Sequence, residues 1–123
     1  MSGSLDKLTQ AERTMVDDLV KQGKNVEIVP RSDIQGVQTP DFIVDGTLTE
    51  LKTLNGTSLN TPVTRITEGF AQGADTVILD ARATGLTVEQ ANGVLSRIKG
   101  IYKNNIPGKI EIWTNFGTIN GGK

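Results

Sequence analysis

Apolar residues recur at helical spacing in three parts of the chain, and each part is bounded by start and stop signals. Capping-box patterns, Thr9-Gln-Ala-Glu12 and Thr87-Val-Glu-Gln90, precede the first and third parts, and Pro62 precedes the second. Glycine or proline ends each part. The pattern predicts helices on three apolar stripes: Leu8, Met15, Val16, Leu19 and Val20 before Gly23; Val63, Ile66 and Phe70 before Gly73; Val88, Ala91, Val94, Leu95, Ile98 and Ile101 before Pro107.

Shorter apolar segments between these helices are typical of strands. Asp45-Gly46, a dipeptide favoured in tight type I′ turns, separates two of them and predicts a hairpin. The segment at 76–79 is continuously apolar, as in a buried central strand. The predicted strands are Val26–Val29, Phe42–Val44, Thr47–Thr53, Thr76–Leu79 and Lys109–Thr114. We expect a loop from Asn55 to Thr61 and a glycine-rich, partly disordered tail from Asn115.

The order of these elements predicts a single α/β (α+β) domain over residues 1–123, with one mixed sheet of about five strands and helices packed on at least one face. Met1–Ser4 could be a cloning remnant, and this polar start does not resemble a signal peptide. No apolar run approaches the roughly 20 residues needed to span a membrane, so no membrane partner is expected.

Composition narrows the chemistry available to this domain. The net charge is -1, so nucleic-acid binding would need a local basic patch. Cysteine and histidine are both absent, which removes thiolate nucleophiles, cysteine-bound zinc and the commonest general base. Any catalysis must therefore use carboxylates, lysine, arginine or hydroxyls.

Asp41, Glu50 and Lys52 form the strongest candidate for a reaction centre. Glu50 and Lys52 are two apart on a predicted strand and should project from one face, and Asp41 opens the paired strand. Two carboxylates and an ammonium could hold Mg²⁺, with Asp41 and Glu50 as metal ligands, and stabilise phosphate charge. The alternative is that Glu50 and Lys52 have no catalytic role and form a weak ion pair on a solvated strand face.

Four further positions are candidates for phosphate or base contacts. Asp80 and Arg82 follow the apolar strand, where α/β sheets often bind ligands, and Arg82 could clamp a phosphate, although both could simply cap the loop. Arg65 lies near the amino end of a predicted helix, which favours anions. Trp113, which ends the last strand with Thr114, could stack a base, but a core position is the likelier role for it.

Pro40-Asp41 followed by Glu50-Leu51-Lys52 resembles the PD-(D/E)xK nuclease signature, including its order of helix, strand, hairpin, helix and strand. Over residues 40–114, the segments PDFIVDGTLTELKT, QGADTVILDAR and KIEIWT resemble the carboxy-terminal toxin domains of contact-dependent inhibition, in particular the CdiA-type tRNA nucleases. The fold implied is either a PD-(D/E)xK-like or a barnase/EndoU/colicin/RelE-like nuclease core.

That resemblance implies an endoribonuclease that is delivered as part of a larger secreted protein and cleaves tRNA in the target-cell cytoplasm. It places Glu50, Lys52, Asp80 and Arg82 in one active cleft, with Thr53, Arg65 and Thr114 near it. The cofactor is either none or Mg²⁺. In the metal-free version, Lys52 and Arg82 would stabilise the pentacovalent phosphate.

The partners implied are tRNA and a cognate immunity protein, which should be acidic if it blocks a basic cleft. A requirement for a host activating protein stays open. Two alternatives also remain. One is a metal-dependent DNase of PD-(D/E)xK type that uses the same three residues, and the other is a non-catalytic interaction module with a charged rim.

Overall fold

The computed structural model describes residues 10–28, 42–54 and 60–122. A mixed sheet of six strands runs through it, with the strands side by side in chain order. The first three strands form an antiparallel meander, the third to fifth are parallel, and the sixth is antiparallel to the fifth. The strands are β1 (Val26–Ile28), β2 (Phe42–Val44), β3 (Thr47–Thr53), β4 (Thr76–Asp80), β5 (Lys109–Thr114) and β6 (Gly117–Gly122).

Three helices cover the two faces of this sheet: α1 (Gln10–Lys21), α2 (Asn60–Ala71) and α3 (Val88–Ile101). Side chains of a strand alternate between faces, and the core is accordingly divided in two. On one face α1 packs Met15, Val16 and Leu19 against the sheet. On the other face, α2 and α3 cover a larger cluster. The prediction of one mixed sheet with helices on it is confirmed.

The predicted hairpin between β2 and β3 is also confirmed. Asp45 and Gly46 have φ angles of 51° and 80°, as a type I′ turn requires at both central positions. Because the turn has two residues, it sets the register in which Val44 faces Thr47 and Phe42 faces Thr49. This register determines which face each side chain of β3 takes.

The tail was predicted wrongly. Residues Gly117–Gly122 form β6, which pairs with the whole length of β5. The hydroxyl of Thr114 donates to the carbonyl of Gly117 (2.7 Å) and accepts from the amide of Phe116 (3.1 Å), so the turn between the two strands is held by a side chain. The sheet therefore has one strand more than expected.

The helix starts were predicted with mixed success. At α3, the capping box is present, because Thr87 accepts from the amide of Gln90 and the Gln90 side chain accepts from the amide of Thr87. Helix α2 begins at Asn60, two residues before Pro62, so the expected loop is shorter at its end. Thr9 of the first capping box lies outside the described residues. No helix among the described residues is long and apolar enough to cross a membrane.

Candidate functional site

Glu50 and Lys52 lie together on β3, on the face that α2 covers. Their register partners on β4 are Val77 and Leu79, which belong to the core beneath α2 and α3. The Lys52 Nζ is 3.6 Å from Glu50 Oε1, and only 17% of the lysine side chain and 7% of the glutamate side chain are exposed. Burying two charges is costly, so this pair is not a solvated rim.

Helix α2 passes very close to this pair because it has glycine at position 69. A Cβ on Gly69 would stand 2.6 Å from a methyl group of Val77 and 3.5 Å from the Cβ of Glu50. The first distance is shorter than atomic contacts allow. A glycine in the last turn of α2 therefore permits the helix to cover Glu50.

Asp80 and Arg82 project from the opposite face of the sheet. Asp80 is adjacent on β4 to Leu79, and its register partners are Thr53 and Trp113, which lie on the α1 side. Arg82 follows in a short 3-10 turn and reaches Asp18 on α1. The expectation that Glu50, Lys52, Asp80 and Arg82 share one cleft is therefore wrong in its geometry, since the sheet separates the two pairs.

Arg82 is held by two carboxylates. Its Nε donates to Asp80 Oδ1 (2.9 Å), and its Nη2 donates to Asp80 Oδ2 (2.8 Å) and to Asp18 Oδ2 (2.7 Å). The hydrogen bonds to Asp80 are the main reason that the pKa of Arg82 is raised. Burial raises the pKa of Asp80, but the hydrogen bonds from the side chain and amide of Arg82 outweigh it, so the net pKa is lowered.

Trp113 lies beneath this ion pair. The guanidinium carbon of Arg82 is 4.9 Å from the centre of the indole ring, a cation–π distance. The residue is 3% exposed and belongs to the core under α1. In this conformation the ring has no free face for a base, which agrees with a core position for Trp113.

A cleft of about 290 Å³ opens beside Arg82, between α1 and the hairpin formed by β5 and β6. We call it the α1–hairpin cleft. Its walls combine acidic, basic and hydroxyl side chains with the backbone of the hairpin. The lining residues are Asp18, Lys21, Gln22, Arg82, Trp113, Thr114, Gly117 and Thr118.

Residues 38–119, more than half of the chain, match the family model for the contact-dependent growth inhibition CdiA C-terminal domain. The chain belongs to this family. A solved structure described as a CdiA-CT/CdiI toxin and immunity complex from Burkholderia pseudomallei also matches, with a TM-score of 0.59 and 12% identity over 100% of this chain and 95% of that one. At that identity the likeness shows the fold alone. None of the curated proteins matches.

The family match covers both pairs of charged residues and the motif-bearing hairpin. The element order of this member, α1, β1, β2, β3, α2, β4, is the order expected from the resemblance to PD-(D/E)xK nucleases. Asp41, the remaining member of the predicted centre, lies outside the described residues. Its part in the site remains a prediction from the sequence.

The residues predicted to contact RNA make contacts within the domain, and their part in RNA binding remains a prediction. Arg65 lies about a turn and a half after the start of α2, beyond the free backbone amides of its first turn, and its side chain pairs with Glu68 (3.6 Å). Thr53 points toward α1, with its hydroxyl 3.8 Å from the sulfur of Met15. Thr114 is 5% exposed and its hydroxyl shapes the β5–β6 turn.

The described residues contain no group of three or more acidic side chains that could hold a metal ion by themselves. A Mg²⁺ site built on Glu50 would therefore need Asp41 as well. Glu50 also makes an interaction beyond its pair with Lys52. Metal binding at this centre remains a prediction.

Two functional candidates were missed by sequence reasoning. Asp18 on α1 was not singled out, because nothing in the sequence connects it to Arg82, 64 positions later. Phe116 was assigned to the disordered tail, yet it stands 69% exposed at the tip of the β5–β6 hairpin. An aromatic residue between Asn115 and Gly117, directly after an alternating strand, was a usable signal of a hairpin tip.

Proposed function

We propose that this domain is the toxin of a contact-dependent inhibition system and acts as an endoribonuclease on tRNA in the cytoplasm of the target cell. It is delivered as the carboxy-terminal part of a larger secreted protein and is neutralised in the producing cell by a cognate immunity protein. The observation that carries the proposal is the buried Glu50–Lys52 pair on the motif-bearing hairpin of a CdiA C-terminal domain.

The pair supplies two of the groups that phosphodiester cleavage needs. The ammonium of Lys52 stabilises negative charge as it develops on the phosphate, and its low exposure strengthens that interaction. Glu50 accepts a proton from the attacking hydroxyl or water, or holds Mg²⁺ together with Asp41 if the enzyme is metal-dependent. When bound, the metal would lower the pKa of a water nucleophile.

Asp80 and Arg82 have a different part in this proposal. Arg82 already donates to two carboxylates, so a phosphate would have to compete with Asp80 and Asp18 for its guanidinium. The ion pairs of Arg82 with Asp18 and Asp80 connect α1 to the end of β4. Asn115, in the β5–β6 turn, donates to the carbonyl of Arg82 (2.8 Å). We assign these residues to holding the α1 side of the domain together.

An immunity partner is supported by the neighbouring fold. The similar solved structure is a complex of a toxin with its immunity protein. For the present chain, the partner should be encoded beside it, and co-expression of the neighbouring open reading frame should restore growth to cells that make the domain. Failure of that product to bind in a pull-down would contradict this part of the proposal.

The substrate is tested by incubating the purified domain separately with total tRNA and with supercoiled plasmid, each with Mg²⁺ and with a chelator. We expect cleaved tRNA and intact plasmid, and the chelator arm reports whether a metal is required. Cleavage of plasmid alone would reject the ribonuclease and leave the DNase reading of the same motif. Cleavage of neither, together with no effect on growth, would support a non-catalytic module.

The reaction centre is tested in cells by expressing Lys52→Ala beside Lys109→Ala. Both lysines lie on central strands, but Lys109 is exposed, and its side chain has no ion pair within the described residues. We expect growth arrest with the parent and with Lys109→Ala, and normal growth with Lys52→Ala. Equal arrest by all three proteins, at equal soluble levels, would remove Lys52 from the mechanism.

A further inference from the structure

The α1–hairpin cleft contains polar groups for which the fold has no evident use. It is lined by Lys21 at the end of α1, Gln22 in the turn that follows and Thr118 on β6, and within the described residues their side chains make no hydrogen bond or ion pair. Asp18 and Arg82, by contrast, satisfy each other. One ammonium, one amide and one hydroxyl therefore remain available to a ligand.

An exposed aromatic residue, Phe116, lies in the β5–β6 turn, whose flanking residues line the same cleft. Phe116 lies between Thr114 and Gly117, both of which line the cleft, and is 69% exposed, the largest exposure among the large apolar residues described. Its backbone is fixed, because its amide donates to the hydroxyl of Thr114 and the neighbouring Asn115 donates to the carbonyl of Arg82. A ring presented on a rigid turn loses little freedom on binding.

We propose that the α1–hairpin cleft is a subsite for one unpaired nucleotide, whose base stacks on Phe116 while Lys21 contacts a phosphate and Gln22 contacts the base edge. This inference rests on the proposed function, since it assumes an RNA substrate. It adds a second point of contact on the face of the sheet opposite Glu50 and Lys52. The substrate therefore has a single-stranded segment that passes around the sheet edge.

The charges of the cleft favour a stacked nucleotide over an acidic protein surface. Asp18 and Asp80 both pair with Arg82, so among the lining residues Lys21 supplies a cation that has no ion pair in the described part of the chain, which suits a single phosphate better than an extended acidic surface. A volume of about 290 Å³ is at the small end of ligand sites and suits one nucleotide. Affinity should then depend on stacking, with a shallow salt dependence from about one phosphate contact.

The subsite is tested by fluorescence anisotropy with a labelled ten-nucleotide single-stranded RNA and with an RNA duplex of the same length. Full-length protein carrying Glu50→Gln prevents cleavage during the measurement. In this background we compare Phe116→Ala, Phe116→Trp and, as the matched control, Ile101→Ala, which removes another exposed apolar side chain (54%) at the end of α3. Far-ultraviolet circular dichroism checks that each variant is folded, because Phe116→Trp adds a second tryptophan to the chain.

Loss of a stacking partner should weaken binding of the single strand by about 5- to 140-fold for Phe116→Ala, while Phe116→Trp and Ile101→Ala stay within about twofold of the parent. Binding of the duplex should be the same in the parent and in all three variants. Single-strand binding unchanged by Phe116→Ala, or weakened equally by Ile101→Ala, would overturn the subsite. Loss of immunity-protein binding alone would overturn it too, and would assign the hairpin tip to a protein interface.

Failure of the subsite and failure of the proposed function are distinguishable. In the otherwise unaltered protein, Phe116→Ala should raise the KM for tRNA and leave kcat nearly unchanged, because it removes binding and not chemistry. A domain that cleaves no RNA, yet binds single strands through Phe116, would refute the nuclease and keep the subsite. Cleavage of tRNA with the same KM in the parent and in Phe116→Ala would refute the subsite and keep the nuclease.

Discussion

Replacing Asp80 with asparagine should destabilise the domain strongly, because this carboxylate organises the α1 side of the sheet. Asp80 accepts three hydrogen bonds from Arg82: from Nε, from Nη2 and from the backbone amide. Asparagine keeps the shape and one acceptor oxygen, but it places an amide donor opposite Nη2. Asp18→Asn is the matched control, since that residue accepts one hydrogen bond from the same guanidinium.

The magnitude follows from the number of contacts and their exposure. A hydrogen bond to a charged group contributes about 1.5 to 3 kcal/mol. The Arg82 side chain is 35% exposed and that of Asp80 is 12% exposed, so solvent screens part of the interaction. We expect Asp80→Asn to lower the free energy of unfolding by about 2 kcal/mol. For Asp18→Asn, with one contact and 27% exposure, about 0.5 kcal/mol is expected.

Urea denaturation followed by the fluorescence of Trp113 measures both effects. Trp113 is the single tryptophan of the chain and lies directly under Arg82, so its emission reports on this part of the core. With an m-value of about 1.5 kcal/mol/M, the midpoints should fall by about 1.3 M and about 0.3 M. Equal shifts of the urea midpoint in the two variants, or no shift in Asp80→Asn, would refute the role given to the hydrogen bonds between Arg82 and Asp80.

Three further changes test other parts of the structure. Because the folded pKa of Asp80 is lowered, its stabilisation is complete above the unfolded value of about 3.9 and is lost as the pH falls through the folded value; the midpoint difference between parent and Asp80→Asn should therefore narrow from pH 6 to pH 3. Gly69→Ala should lower the free energy of unfolding by about 1 to 2 kcal/mol, because the new methyl group meets Val77. Gly93→Ala on α3, where a Cβ would have no atom within 4 Å, should raise it by about 0.5 to 1 kcal/mol in the same urea titration. Thr87→Ala removes the hydroxyl that accepts from the amide of Gln90, so the free energy of unfolding should fall by about 1 kcal/mol, measured as a lower melting temperature; an unchanged value would mean that water replaces the cap.

Local signals predicted most of the fold. The β2–β3 hairpin, the buried strand β4 and the capped helix α3 follow from turn chemistry, apolar runs and spacing, all of which act over a few residues. Strand β6 was missed because three of its six residues, Gly117–Gly122, are glycine and only one, Ile119, is large and apolar; its order comes from pairing with β5 and from the hydroxyl of Thr114.

The site was predicted less well, for a topological reason. That Glu50 and Lys52 share a face follows from the period of a strand. Whether Asp80 joins them depends on the parallel register in which Lys52 faces Leu79, and no short segment of the sequence encodes that register. A shift of one residue would have put Asp80 on the other face. The contact between Arg82 and Asp18 is equally non-local.

The central claim is that the Glu50–Lys52 pair is the reaction centre of a ribonuclease. It is tested most directly by the single-turnover rate of tRNA cleavage for Glu50→Gln beside Glu111→Gln, a change of the same kind on β5, two strands away in the sheet. Urea titration of each variant must first show that it is folded under the assay conditions. We predict a loss of at least about 100-fold for Glu50→Gln and less than about twofold for Glu111→Gln. Near-normal cleavage by a folded Glu50→Gln protein would contradict the account.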